Sequence, residues 1–247
     1  MARAAVLGRL GPTAWQVGQV VDVIRETPRV ATLVLDVPEW PGHRAGQHVD
    51  VRLTAEDGYQ AQRSYSIASP PEDERLTLTV ERLEDGEVST YLVDELRAGD
   101  GLELRGPIGG YFVWEARHGG PLLLVAGGSG VVPLASMLRH RAATENDVAA
   151  RLLYSARSLE DVIYREELSE LGRDVVLTLT RAHPEGWAGY ARRVDRAMLS
   201  DVAWPAEDNP LAFVCGPTSF VESVANDLVA LGYESARVKT ERFGPTG

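Results

Sequence analysis

From Trp15 to about Val113, apolar and polar residues alternate in short runs: Val17–Ile24, Val30–Val37, His48–Leu53, Arg63–Ala68, Leu76–Val80 and Gly101–Leu104, with proline, glycine or acidic turns between them. A period of two puts successive side chains on opposite faces, as in a strand with one face buried. Closely spaced runs of this kind predict an antiparallel Greek-key β-barrel. One helical stretch interrupts them, with Val88, Tyr91, Leu92 and Leu96 on a shared face. Ser89 is its expected cap and Arg97-Ala98-Gly99-Asp100 its stop.

The pattern changes at Arg117-His118-Gly119-Gly120, which divides the chain into residues 1–116 and 117–247. Leu122–Ala126 is continuously apolar, the mark of a strand buried on both faces. A helix follows, with Val131, Leu134, Ala135 and Leu138 at helical spacing and Pro133 tolerated in its first turn. Strands are then expected at Ala149–Tyr154, Val175–Thr180, Leu211–Cys215 and Ala236–Thr240, and helices at Tyr164–Leu171, Val194–Leu199 and Pro217–Leu231. Alternating strand and helix predicts an α/β domain, a parallel sheet with helices on both faces and right-handed crossovers.

Composition narrows the function classes. The 247 residues, 44% hydrophobic and 25% charged, suit an ordinary water-soluble protein with ample core. No apolar run is long enough to span a bilayer. The apolar start, Met1–Leu10, is broken by Arg9, so no signal peptide is expected, and a cytoplasmic monomer is. The net charge of −11 argues against a nucleic-acid partner. It also sits awkwardly with docking an acidic protein, unless local arginines such as Arg63, Arg75, Arg82, Arg139 and Arg141 converge. The histidines show no metal-ligand spacing. One cysteine excludes an internal disulfide, and a plant-type 2Fe–2S cluster needs four thiolates, so these residues cannot carry one.

Several segments carry candidate chemistry. On the strand Gln62–Ala68, Arg63, Tyr65 and Ile67 fall on one face and Ser64 and Ser66 on the other. This set can grip a planar anionic ligand, and it also suits an ordinary barrel strand with a surface arginine. Gly86-Glu87-Val88-Ser89-Thr90 is a small-residue turn feeding a helix, either an anion site or a simple capping turn. Gly127-Gly128-Ser129-Gly130 lies between a buried strand and a helix, where glycines admit a diphosphate to the backbone and the helix N-terminus favours it. The alternative is a turn without ligand. Cys215, ahead of Gly216-Pro217, is either a buried small hydrophobe or part of a ligand site at the carboxyl edge of the sheet. In Ser155-Ala156-Arg157-Ser158, Arg157 and Ser155 favour a nucleotide 2′-phosphate, with Arg181 as a second contact, while Glu160 and Asp161 stand close enough to oppose it.

Taken in order, these segments resemble the ferredoxin–NADP reductase superfamily. The matching motifs are R-x-Y-S at Arg63–Ser66, G-x-x-S at Gly86–Ser89, G-P-x-G at Gly106–Gly109, G-G-S/T-G-x-x-P from Gly127 to Pro133, and C-G-P at Cys215–Pro217. The resemblance spans Val17 to Phe243. It implies FAD on the barrel and NADPH or NADH on the α/β domain. By the same resemblance, the Gly86–Thr90 turn cradles the flavin diphosphate, Arg63 neutralises it, and Tyr65 stacks on the flavin. Ser66 reaches the N5 edge, and Ser64, Val80 and Val88 complete that site. Gly127–Gly130, Pro133, Gly216 and Pro217 hold the nucleotide. Cys215 positions the nicotinamide, so Ser66 and Cys215 are the expected catalytic residues. Phe243 covers the flavin, or else belongs to a frayed tail with Gly244-Pro245-Thr246-Gly247. The implied activity is electron transfer from NAD(P)H through FAD to a separate ferredoxin or oxygenase iron–sulfur component. A reductase of free flavin, ferric complexes or quinones, and a non-catalytic flavin-binding module, are the alternatives.

Overall fold

The computed structural model describes residues 14–244. The Met1–Leu10 segment and the final residues 245–247 lie outside the described residues. The first half is a six-stranded antiparallel sheet of β1 (Gln16–Thr27), β2 (Val30–Asp36), β3 (His48–Thr54), β4 (Gln60–Ser66), β5 (Leu76–Glu81) and β6 (Gly101–Ile108), in the order β4-β3-β6-β1-β2-β5. Just beyond β4, the Ile67–Leu78 bridge and an Ala68 N–H to Thr77 carbonyl bond of 2.8 Å join the outer strands β4 and β5 and close the barrel. Every alternating run expected to be a strand is one. The inward residues, among them Leu33, Val49, Val51, Ile67, Leu78, Leu102 and Leu104, are fully buried.

Between β5 and β6 lies α1 (Glu87–Thr90), continued by a wider π-helical turn over Tyr91–Glu95. Ser89 is inside this helix and does not cap it. Its hydroxyl donates to the Gly86 carbonyl (3.0 Å) and accepts from the Leu83 N–H (3.1 Å). A Cβ on Gly86 would collide with that hydroxyl, so the turn closes on itself only with glycine there.

The second half is a parallel sheet flanked by helices, in chain order β7 (Leu122–Gly127), α2 (Val131–Ala143), β8 (Ala150–Ala156), α3 (Arg165–Glu170), β9 (Val175–Leu179), α4 (Arg196–Val202), β10 (Leu211–Pro217), α5 (Thr218–Ala230) and β11 (Val238–Phe243). The strand order is β11-β10-β7-β8-β9. Both faces are covered, as the continuous apolar run of β7 requires. Leu122, Leu124 and Ala126 pack with α2 residues Leu134 and Met137, whereas Leu123 and Val125 pack with Met198 of α4 and Val221 and Val224 of α5. The first of these cores extends into the barrel half, taking in Val30, Ala45, Ala68, Phe112 and Trp114. Phe112 meets Phe213 of β10 edge to face, with centroids 5.1 Å apart. Among the described residues, no helix is long and apolar enough to cross a membrane, and no cluster of three metal-ligating side chains occurs.

Candidate functional site

The carboxyl edge of the parallel sheet is where motifs remote in sequence meet. β7 ends at Gly127, and Gly128–Gly130 forms one 3₁₀ turn that runs directly into α2. A Cβ on Gly130 would collide with the Cys215 carbonyl, and one on Gly127 or Gly216 would come within 2.9 or 2.8 Å of the Phe220 ring. The glycine turn and the C-G-P segment are therefore packed backbone to backbone, an approach only glycine permits. Gly128, at φ +57°, has nothing within 4 Å of its missing side chain. That leaves open space over exposed backbone at the start of a helix, a setting that suits an anion.

A cavity of about 540 Å³ opens from this edge toward the barrel. Gly127, Gly128, Ser129, Ser155, Arg157 and Pro217 line it, so these expected nucleotide residues come together, joined by Phe243, the expected flavin cover, while Cys215 and Gly216 are not in the wall. Gly130 and Pro133 are buried behind it at the start of α2. Arg181 is not in the wall. Thr180 takes that place, while the Arg181 N–H donates to the Arg157 carbonyl (2.9 Å). The sequence reading missed Arg193 and, from the barrel, Thr27, Arg29 and Glu81, which also line it. Asp161 also faces the cavity, with a carboxylate oxygen that accepts from Ser158 Oγ at 2.7 Å.

On the barrel side, the register sets Arg63 opposite Val51 and Tyr65 opposite Val49, while Ser64 and Ser66 oppose Asp50 and His48. The two-faced strand is thus as expected. Arg63 is exposed, and its Nη1 donates to the Gln62 carbonyl (2.6 Å). Ser64 Oγ donates to Asp50 (2.6 Å), which also accepts two bonds from Arg105, so this serine is tied into the barrel. Tyr65 is half-buried, and burial pushes its phenol up to about 12, against the opposing effect of Arg63. It remains a neutral donor at ordinary pH. The side chains of Val80 and Val88 are in the barrel core. Neither Arg63–Ser66 nor Gly86–Thr90 belongs to the wall of the nucleotide-sized cavity.

Between the two sheets lies a half-buried acid that the sequence reading passed over. Glu241 on β11 is in register with Cys215 on β10. Burial pushes its carboxyl up to about 7. Its Oε1 is 3.8 Å from Nδ1 of His48, the residue opposite Ser66, and its Oε2 is buried without a partner among the described residues. Burial lowers the His48 pKa, an effect that Asp50 partly offsets. Burial also raises the Cys215 thiol well above its ordinary value, with Glu241 adding to the shift, so Cys215 is a protonated thiol and no nucleophile. Ser66, His48, Glu241 and Cys215 thus form a chain of neighbours from one sheet to the other. An open glycine cradle, an orphaned carboxyl oxygen and a cavity of this size fit a site for a dinucleotide and a redox cofactor.

Residues 18–113 match the model of the oxidoreductase FAD-binding domain and residues 124–226 that of the oxidoreductase NAD-binding domain. The chain belongs to the ferredoxin–NADP reductase superfamily. Its barrel is the FAD-binding domain and its parallel sheet the NAD-binding domain. It is 32% identical over 235 residues to the glycine betaine monooxygenase reductase subunit of Pseudomonas aeruginosa, covering 92% of this chain and 63% of that protein. It is 33% identical over 217 residues to the NADH oxidoreductase HCR of Escherichia coli K12, covering 87% of this chain and 64% of that protein. The chain therefore spans under two thirds of the length of these relatives. The fold of a Neisseria gonorrhoeae ferredoxin NADP+ reductase, solved with FAD and NADP, superimposes with a TM-score of 0.79 at 20% identity, covering 92% of this chain and 98% of that one.

Proposed function

We propose that this superfamily member oxidises NAD(P)H and passes the electrons through FAD to a one-electron acceptor outside these 247 residues, an iron–sulfur protein or an oxygenase's iron–sulfur component. The observation that carries the reading is the junction itself: the glycine turn packs on Cys215, and Glu241, the register partner of Cys215, comes within 3.8 Å of His48, the residue opposite Ser66 in the other sheet. The name of the P. aeruginosa relative, a monooxygenase reductase subunit, supports the acceptor class. Bound FAD supplies the chemistry that converts a hydride donor into a source of single electrons.

The chain's own residues supply position and charge. Arg63 and the Gly86–Thr90 turn hold the flavin diphosphate, Tyr65 offers its ring and Ser66 its hydroxyl to the flavin, and Phe243 covers it. The Gly127–Gly130 turn and the N-terminus of α2 take the nucleotide diphosphate, with Ser155, Arg157 and Arg193 on its ribose end. Gly216 and Pro217 shape the floor, and the Cys215 thiol fills the space beside the nicotinamide. Burial pushes the Glu241 carboxyl up to about 7, so it holds a proton below that pH, and its Oε2 is buried without a partner among the described residues. We place the domain division at residue 116, where the Ala116–His118 turn separates β6 from β7.

Three arginines in the cavity (Arg29, Arg157 and Arg193) against two acids (Glu81, and Asp161, which is already bonded to Ser158) favour NADPH. Asp161 and the name of the E. coli relative favour NADH as a second reading. A small-molecule acceptor is also a second reading, favoured by the net charge of −11, which repels an acidic carrier. Absorbance of the purified protein before and after anaerobic NADPH or NADH tests the reading. Turnover that is fast on ferric complexes or quinones, and absent with any iron–sulfur protein, contradicts the acceptor assignment.

A further inference from the structure

We infer that Arg139, assisted by Ser136, is a positioning residue that clamps the flavin-bearing strand of the barrel to the nucleotide-bearing helix of the α/β domain. The inference rests on the function proposed above. Helix α2 starts at the glycine turn, and two turns further along it touches the barrel. Ser136 Oγ, fully buried, donates to the Ser69 carbonyl at 2.8 Å. Arg139 Nη1 donates to the Ala68 carbonyl at 2.7 Å. Ala68 and Ser69 directly continue the strand that carries Arg63, Tyr65 and Ser66. One helix thus holds the dinucleotide turn at its start and the end of the flavin strand at its third turn.

The guanidinium is itself fixed on every side. Its Nε and Nη2 donate to the two carboxylate oxygens of Glu167 on α3, at 2.8 and 2.6 Å, and its plane lies over the Tyr164 ring at 4.4 Å. Tyr164 in turn donates to Thr79 of β5, which shares a 2.7 Å bond with Thr32 of β2. Tyr164 is held at φ +58°, a conformation that bulky residues avoid, and its neighbour Ile163 lines the nucleotide cavity. Burial works against the arginine's charge, and the bonds to Glu167 overcome it. A planar fork meets a carbonyl, a bidentate carboxylate and an aromatic face together, which lysine cannot do. Shifts of about 1 Å between reacting groups cost on the order of 10²-fold in rate, so a clamp at this point sets the rate without touching either cofactor.

The test compares wild type with Arg139→Met, Arg139→Lys and Ser136→Ala, each as the full chain with its flavin. In Arg139→Met, flavin content and reduction by dithionite are expected to match wild type. Reduction by NADPH or NADH is expected to slow by about 10- to 100-fold, and the long-wavelength absorbance that reports nicotinamide stacked on flavin is expected to be lost. Arg139→Lys should recover part of both, and Ser136→Ala should show a smaller loss of the same kind. Hydrogen exchange over residues 66–73 should be faster in Arg139→Met. Wild-type rate with the absorbance intact in Arg139→Met and Ser136→Ala overturns the clamp, as does loss of flavin in proportion to the loss of rate. A wild type that neither nucleotide bleaches overturns the functional reading instead, and hydrogen exchange then decides the clamp: unchanged protection over 66–73 overturns it.

Discussion

Arg63 and Cys215 should fail in different ways when replaced, because the proposed role of Arg63 is at the flavin diphosphate and that of Cys215 is packing beside the nicotinamide. Arg63→Ala removes an exposed cation that makes no ion pair within the described residues, and the barrel core beneath it is untouched. The expected product is folded protein that has lost its FAD, read by absorbance after desalting. Cys215→Ala trims the core shared by the two halves but touches none of the expected flavin residues. The thiol is buried and protonated, so the loss is of position and not of a nucleophile. FAD should stay bound while its reduction by nucleotide slows, and reduction at the wild-type rate would make the cysteine mere packing. On the proposed reading, Arg157→Ala would remove a charge-assisted contact of roughly 1.5–3 kcal/mol to a 2′-phosphate. It should raise KM for NADPH and leave NADH use nearly unchanged. Equal losses with both nucleotides would take Arg157 out of the site.

At the scale of elements, β11 carries the site's clearest pH signature. The Glu241 carboxyl sits at about 7 in the folded chain, against 4.5 in the open. Below the unfolded value both states hold the proton, and the buried group costs nothing. Between about 4.5 and 7 the folded state binds the extra proton, so stability falls as pH rises, and the whole penalty is present above 7. Glu241→Gln removes this penalty, and its Tm relative to wild type should climb from pH 5 to pH 8. A difference that stays constant with pH would mean that His48, 3.8 Å away, already neutralises the acid. Periodicity made all the strands legible, because alternation in the barrel and continuous apolar runs in the parallel sheet follow directly from one or two buried faces. The glycine turn and C-G-P were legible as separate motifs. Their contact was not, because Gly130 meets Cys215 only through the pairing of β7 with β10. Glu241 escaped notice for the same reason: a parallel register, not a spacing in the chain, puts it beside Cys215. Ser89 has the composition of a cap, but its hydroxyl is consumed inside its own turn. Arg193 and Arg29 reach the cavity from loops that carry no periodic signal.

For the whole molecule, the decisive feature is that the two halves share one buried core. Phe112 and Trp114, beyond the last barrel strand, pack into the same cluster as Leu124 and Phe213 of the parallel sheet. Phe112→Ala removes an aromatic ring from that shared core and should cost about 3–5 kcal/mol, the usual range for such truncations. Calorimetry should show both halves losing stability in one transition, whereas separate transitions would mean that the halves fold independently. The sheet registers bring Ser66, His48, Glu241 and Cys215 together from strands of the two halves, which is how the proposed site can be assembled by so few side chains. The central claim is that electrons cross this junction from nucleotide to flavin. Anaerobic titration of the purified protein with NADPH and with NADH, followed by absorbance, tests it most directly. The account predicts one FAD per chain, bleached by a stoichiometric amount of nucleotide. A colourless protein, or bound FAD that dithionite reduces but neither nucleotide bleaches, would contradict it.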